Sequence, residues 1–160
     1  MAEASGSRVA MIRTGIVLGP KGGALKPLLP LFAIGAGGPV GSGNQWWPWV
    51  HRDDVANGID FLLTNPVSGV FNMTAPNPER QKDFARTLGR VVGRPAIMPA
   101  PAFAVRLILG GFADEILFSK RAAPERLAEA GFVFAYPELE PALRQVLNRG
   151  ATRASTPAAV

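Results

Sequence analysis

At 160 residues, with a net charge of +5, 48% hydrophobic and 18% charged residues, the chain has the size of one domain, and folding would bury roughly 70% of the surface its unfolded form exposes. That composition excludes the disordered class, and the lack of cysteine excludes disulfide staples, thiolate metal sites and cysteine nucleophiles. No stretch approaches the roughly 18 apolar residues that span a bilayer, and "MAEASGSR" lacks the apolar run of a signal peptide, so a soluble, cytoplasmic protein without membrane contact is expected.

Along the chain, "RVAMIRTGIVLGP" is β-branched and apolar at its start and stops at Gly19-Pro20. It predicts a buried strand at about residues 8–13 followed by an irregular loop. "ALKPLLPLFAIG" predicts a short packed helix, with Pro27 suited to a first turn and Pro30 bending the later residues. Residues 35–43 hold five glycines and a proline and read as loop. "PWV" is a short extended piece leading into "HRDDVANGIDFLL". There either Asp53 or Asp54 is the expected N-cap of a helix that buries Val55, Ile59, Leu62 and Leu63.

"GVFNM" (69–73) is a second strand and "TAPNP" a turn. A helix at about residues 79–92 comes next, with Lys82, Arg86 and Arg90 along one face and Phe84, Leu88, Val91 and Val92 on the other. That pattern reads as an amphipathic helix with a solvated basic face, and no nucleic-acid-binding signature accompanies it, so nucleic acid is not an expected partner. "RPAIMPAP" is extended, because each proline pushes its predecessor out of the helical region. Phe103, Leu107, Ile108, Phe112, Ile116 and Leu117 keep helical spacing to about residue 118, weakened at Gly110-Gly111. "APERLAEAGF" is a short helix closed by Gly131, and "LEPALRQVL" is the last, with Leu139, Leu143, Val146 and Leu147 on one face. Residues 1–7 are expected to be a flexible start and 150–160 a disordered tail.

Two short apolar strands do not make an independent parallel sheet, which needs neighbours at both edges and cover on both faces. The stretch richest in chemistry, "GAGGPVGSGNQWWPWVHRDD" (35–54), fails the dinucleotide-loop pattern in both registers, and no glycine in it is followed by the Lys-Ser or Lys-Thr of a nucleotide-triphosphate loop. Counting from Gly35 puts Val40 where the third glycine of a dinucleotide turn belongs; counting from Gly41 puts Trp46 there,. No Gly-x-Ser-x-Gly elbow surrounds Ser42. His51, Asp53 and Asp54 are too few and too divergent for a metal site, and none is expected. Trp46, Trp47 and Trp49 serve either as an aromatic wall for a flat ligand or as core.

"RTGIVLGPKGGALKPLLPLF", "GGPVGSGNQWWPWVHRDDVANGI", "GVFNMTAPNP", "RPAIMPAPAFAVRLILG" and "PERLAEAGFVFAYPELEPAL" resemble, in order, the C-terminal half of epimerase-like proteins of the extended short-chain dehydrogenase/reductase superfamily, in the branch that ends in a small domain of unknown function. The resemblance implies an α/β fold: a partial Rossmann-type sheet of one or two parallel strands (8–50, with the substrate loop) and a small, mostly helical substrate-binding lobe (51–149). It also implies a chain lacking the N-terminal Rossmann half, with Met1 an internal start, an imposed boundary or a genuine truncation. The family's Tyr-x-x-x-Lys pair is absent, since the sole tyrosine, Tyr136, is followed four places on by Glu140.

What the resemblance carries over is a set of pocket residues and no catalytic one. The strand and loop at "RTGIVLGP" is similar to the family's segment beside the nicotinamide, which marks Arg13, Thr14, Gly15 and Ile16 as cofactor-side residues; for Arg13, anchoring of the loop through a buried ion pair is the alternative. The segment from Gly41 to His51 is similar to the substrate-facing loop and marks Gln45, Trp46, Trp49 and His51 as substrate-binding. The expected function is the substrate side of an NAD(P)-dependent sugar-nucleotide-epimerase-like or reductase-like protein, inactive alone, with a non-catalytic binding or interaction module as the alternative. The cofactor is NADP or NAD in the complete family protein and none for this chain alone. The expected partners are the missing N-terminal half or a second copy, and a small-molecule, nucleotide-linked substrate.

Overall fold

The β-branched run at the start of the chain forms two strands in succession, β1 (Ala10–Thr14) and β2 (Ile16–Gly19), in a computed structural model that describes residues 7–20, 22–110 and 112–148, with the backbone only at residues 104, 108, 109, 112, 115 and 116. The expected irregular loop after Arg13 is therefore strand. One residue separates the two, and it changes their partner. β1 pairs in parallel with β6 (Gly69–Met73), from Ala10 opposite Gly69 to Thr14 opposite Met73. β2 pairs in parallel with β5 (Trp49–His51), Ile16 opposite Trp49, and antiparallel with the short β3 (Gly22–Gly23).

Gly15 makes the change: its N–H donates to the Met73 carbonyl at 3.0 Å while that of Ile16 donates to the Pro48 carbonyl at 2.7 Å. A Cβ at position 15 would stand 2.1 Å from the Pro48 oxygen, so only glycine fits this approach.

α1 (Leu25–Ala33) has Pro27 in its first turn and Pro30 within it, and buries Leu25, Leu28 and Phe32. The glycine loop then leads to β4 (Trp46–Trp47), which pairs antiparallel with β7 (Glu79–Arg80). α2 (Arg52–Thr64) connects β5 to β6. It ends at Asn65, held extended before Pro66,, and the Arg8 guanidinium donates to the carbonyls of Leu62, Leu63 and Val67, satisfying acceptors that a helix C-terminus leaves open. α3 (Gln81–Val92) starts two residues later than its pattern suggested, because Glu79 and Arg80 are spent on β7, and it closes on Gly93 in the left-handed conformation at φ 76°. α4 (Ala102–Leu109), α5 (Phe112–Leu117), α6 (Glu125–Glu129) and α7 (Leu139–Val146) complete the chain. The apolar pattern through residue 118 is thus two helices broken at the glycine pair.

The elements enclose two apolar cores. Trp47, Trp49, Phe84, Leu88, Leu139 and Leu143 centre the first; Val50, Leu62, Phe71, Met73, Leu127 and Phe132 form the second. Both draw residues from before and after position 50, because the parallel pairings stitch residues 10–19 to strands on the far side of it.

Some expected faces are turned. In α2 the buried residues are Asp54, Gly58 and Leu62, whereas Ile59 and Leu63 are exposed. In α4 Val105 is buried while Phe103 and Leu107 are exposed. The side chains of Ile108, Phe112 and Ile116, the tail from Gly150 and residues 1–6 of the expected flexible start lie outside the described residues. Among the described residues no helix is long and apolar enough to cross a membrane.

Gly15→Ala forces its new methyl against the Pro48 carbonyl and is expected to lower unfolding stability by about 1–3 kcal/mol, the usual range for overpacking. Gly19→Ala, where a Cβ meets nothing within 4 Å, should change it by less than about 0.5 kcal/mol. Urea denaturation of both variants checks this, and equal midpoints would remove the strand switch as a constraint.

Candidate functional site

The Gly15 switch opens beside a cleft of about 360 Å³. Thr14, Gly15, Ile16 and Val17 supply it from β1, β2 and the glycine between them, Gly23 from β3, Ala24 from the N-cap of α1, and Trp46, Trp47 and Pro48 from the tryptophan segment. Phe118 and Lys120 reach it from the segment after α5. That segment is fixed by hydrogen bonds rather than by regular structure. Trp46 N–H donates to the Ser119 hydroxyl at 3.1 Å, Lys120 N–H donates to the Trp46 carbonyl at 3.4 Å, and Asn72 and Thr74 hold the carbonyls of Ala123 and Ala122.

A second hollow of about 600 Å³ shares Thr14, Gly15, Pro48 and Lys120 with the first and adds Arg13, Arg121, Asn72, Thr74 and Glu125. Trp46, in the wall of the first, carries over its ring the Arg80 guanidinium at 3.9 Å and, at 5.0 Å, that of Arg121, which lines the second. Arg80 also donates to the Asn44 carbonyl.

The residues marked from the sequence divide between cleft and core. Thr14, Gly15, Ile16 and Trp46 line the cleft and Arg13 lines the adjoining hollow. Arg13 is exposed and in none of the ion pairs found among the described residues, so the buried-pair alternative gives way. Gln45, Trp49 and His51 require correction, because their side chains are buried and committed elsewhere. Gln45 Nε2 donates to the Val40 carbonyl at 2.9 Å, and Trp49 Nε1 donates to the Asn77 carbonyl at 3.1 Å. His51 is wholly buried. Its Nδ1 accepts from the Asp53 N–H at 3.1 Å and its Nε2 lies 2.8 Å from Gln145 Oε1, a pairing that puts the ring proton on Nε2. The ring stacks on Tyr136 at 3.9 Å.

His51 is therefore the N-cap of α2, correcting the expectation of Asp53 or Asp54. Asp54 has a different task. It is fully buried, and its two carboxylate oxygens accept the N–H groups of Ala135 at 2.7 Å and Tyr136 at 3.0 Å. Burial pushes its pKa upward, and the two backbone N–H bonds oppose that shift without cancelling it,. This clamp turns α2 so that Asp54 is fully buried, while Val55 beside it is half-buried against the second core.

Sequence reading passed over Phe118, Lys120 and Arg121. An exposed aromatic followed by two cations in "FSKRAAP" is the signal that was there to use. The basic stripe, by contrast, is engaged locally: Lys82 bonds Asn44, Arg86 bonds Asp83 and Arg90 bonds Glu140. Among the described residues no cluster of three or more acidic or histidine side chains is placed to hold a metal ion.

Residues 1–74 match the sequence model of the NAD dependent epimerase/dehydratase family, and residues 100–146 match a domain of unknown function, DUF1731. An epimerase family protein described as an SDR39U1 homolog, chloroplastic, from Arabidopsis thaliana is 47% identical over 142 residues, covering 88% of this chain and 41% of its own length. An epimerase family protein of Mycobacterium bovis is 40% identical over 150 residues, covering 92% and 50%. Among solved structures, the human epimerase family protein SDR39U1 with NADPH superposes with a TM-score of 0.83 at 37% identity, over 89% of this chain and 49% of the other. A nucleoside-diphosphate sugar epimerase from Corynebacterium glutamicum superposes at 0.71 and 30% identity, over 91% and 27%.

The chain spans about half the length of the curated relatives it matches. Its α/β fold with parallel strands is the Rossmann-like one of these neighbours. The expectation of a C-terminal half lacking the N-terminal Rossmann half is corrected: the epimerase match falls on residues 1–74, the N-terminal part of this chain, and these relatives align over 88% to 92% of it.

A carboxyl whose folded pKa is raised holds its proton more tightly folded than unfolded, so its contribution to stability falls as pH rises from the ordinary value, 3.8, through the raised one,. Asp54→Asn removes that fall but sets an amide N–H against a backbone donor, at a cost of about 1–3 kcal/mol. The stability gap between parent and variant is therefore expected to be widest at the acid end and to narrow as pH rises. Urea midpoints from acid to neutral pH test it; a gap that widens with pH would mean the carboxylate is favoured by the fold.

Proposed function

The chain is epimerase-like in sequence and fold, and on that premise we propose that its cleft forms the nicotinamide-end and substrate-side walls of an NADP(H)-linked epimerase-type or reductase-type site. One observation carries this: the β2–β5 pairing sets Thr14, Gly15 and Ile16 in the same cleft as Trp46 and Pro48, so the two segments marked for opposite sides of one reaction share one space. The solved structure of the human relative with NADPH supports the choice of cofactor.

The residues fit one end of the dinucleotide. A cleft of about 360 Å³ with Ile16 and Pro48 in its walls suits a flat ring and its immediate neighbour, at the small end of ligand pockets. The nicotinamide, when bound, supplies the hydride. The chain's own residues exclude water from the ring with Ile16, Pro48 and Trp46, and present the Thr14 hydroxyl and the Lys120 ammonium as polar groups. Tyrosine-mediated proton transfer is not on offer here, because the sole tyrosine is buried against His51. That burial favours a second reading, in which the chain binds its ligands without turning them over.

Titration with NADPH, read as energy transfer from tryptophan to the bound nicotinamide, tests the proposal. Thr14 is exposed and lines both hollows, so Thr14→Phe should fill the site without unfolding the chain and weaken NADPH at least about tenfold, or 1.4 kcal/mol. No transfer, or binding unchanged by the substitution, overturns it. Binding without NADPH consumption across UDP-sugars and aryl ketones selects the second reading.

A further inference from the structure

We propose that the substrate of this site is a small molecule with a flat apolar body and a single terminal anion, not a nucleotide-linked sugar; this rests on the reading above and names its substrate class. The walls of the cleft are apolar: Ile16, Val17, Trp46, Trp47, Pro48 and Phe118. The polar side chains among its lining residues are those of Thr14 and Lys120. A sugar or nucleotide brings many hydroxyl, amide and diphosphate groups, and each one that loses water without gaining a partner weakens binding. A flat apolar body loses nothing by entering such a slot and gains the burial of its faces.

Charge is supplied at one end. Arg13, Lys120 and Arg121 line the adjoining hollow, against the single carboxylate of Glu125. Arg121 lies at the junction, because its guanidinium sits over the Trp46 ring that lines the slot. Lys120 lines both spaces. An anion attached to a body in the slot therefore meets the Arg121 guanidinium at the shared rim. Guanidinium N–H groups donate to carboxylate and phosphate oxygens alike, so the terminal anion is the shared chemistry.

Four probes applied to the full chain, with affinities from NMR titration, distinguish the outcomes: 2-naphthoate, 2-naphthyl phosphate, naphthalene-2-methanol and UDP-glucose. At least one naphthyl anion should bind ten times or more tighter than the neutral alcohol, and the tighter of the two identifies the anion. Phe118 and Arg121 are exposed, so their substitution spares the cores. Phe118→Ala should weaken the anion and the alcohol together, at least threefold. Arg121→Ala should remove most of the preference for the anion and leave the alcohol unchanged. Lys26→Ala, an exposed cation outside both hollows, should change nothing.

Equal binding of alcohol and anions, naphthyl binding indifferent to Phe118→Ala and Arg121→Ala, or displacement of naphthoate by UDP-glucose overturns the proposal. NADPH titrated into the same samples separates the two layers. Cofactor binding with no naphthyl anion bound overturns this substrate class alone. Anion binding without NADPH overturns the cofactor reading and leaves the slot's selectivity standing.

Discussion

The contact on which the rest depends is the approach of the Gly15 backbone to the Pro48 carbonyl, closer than any side chain permits. It lets one run of chain pair first with β6 and then, a single residue later, with β5. Because α2 joins those two strands, the same switch fixes where that helix begins and ends. In open α/β sheets ligands gather beyond the carboxyl ends of strands where the strand order changes. Thr14, the last residue of β1, lies at such a point and lines both hollows. Fold and site thus share one constraint.

The tryptophan segment feeds both sides of this arrangement. Trp47, Trp49 and His51 alternate and are all fully buried, while Trp46 and Pro48 are only partly covered and line the cleft, and Val50, pointing away from Trp49, is buried in the second core. The alternation is that of a strand, whose successive side chains take opposite faces. Trp47 meets Phe84 edge to face at 5.0 Å, which ties the wall of the cleft to the helix α3 behind it. Trp47 and Trp49 thus take the core role, and Trp46 lies on the wall of the cleft.

Buried polar groups set orientation where apolar pattern alone would not. Val55, Ile59, Leu62 and Leu63 offered a plausible buried face for α2, yet Ile59 and Leu63 are exposed, and the residues fully buried are Asp54, Gly58 and Leu62, with Val55 half-buried on the second core. Asp54 draws the helix round because two backbone N–H groups at 135 and 136 need an acceptor and an unmet buried donor is costly. Gly58 permits it, since a Cβ there would stand 2.4 Å from the end of the Met73 side chain. The surface charges matter less to stability. The stripe on α3 is exposed and paired locally, as with Arg86 and Asp83, and such pairs contribute about 0–1 kcal/mol.

Much of the architecture was legible in residues 8–147: the parallel strands β1 and β6, and the helices with a strong apolar period such as α3 and α7. These arise from local pattern, because periodicity and turn chemistry act between near neighbours in sequence. Local pattern could not show that Gly15 changes strand partners, that His51 caps a helix and is closed off by Gln145 and Tyr136, or that Asp54 serves the backbone at 135. Nor could it bring Lys120 and Arg121 to the tryptophan wall, since that placement depends on hydrogen bonds from Asn72, Thr74 and Trp46 to a segment some fifty to seventy residues further on. By itself the sequence determined the strands β1 and β6, the helices with a clear apolar period, and the epimerase-like resemblance, while the expected loop that became β2 lay beyond it. Tertiary structure alone decided which polar side chains are consumed in holding the fold and which are left facing the cleft, because satisfying a buried donor or acceptor is settled by contacts distant in the chain.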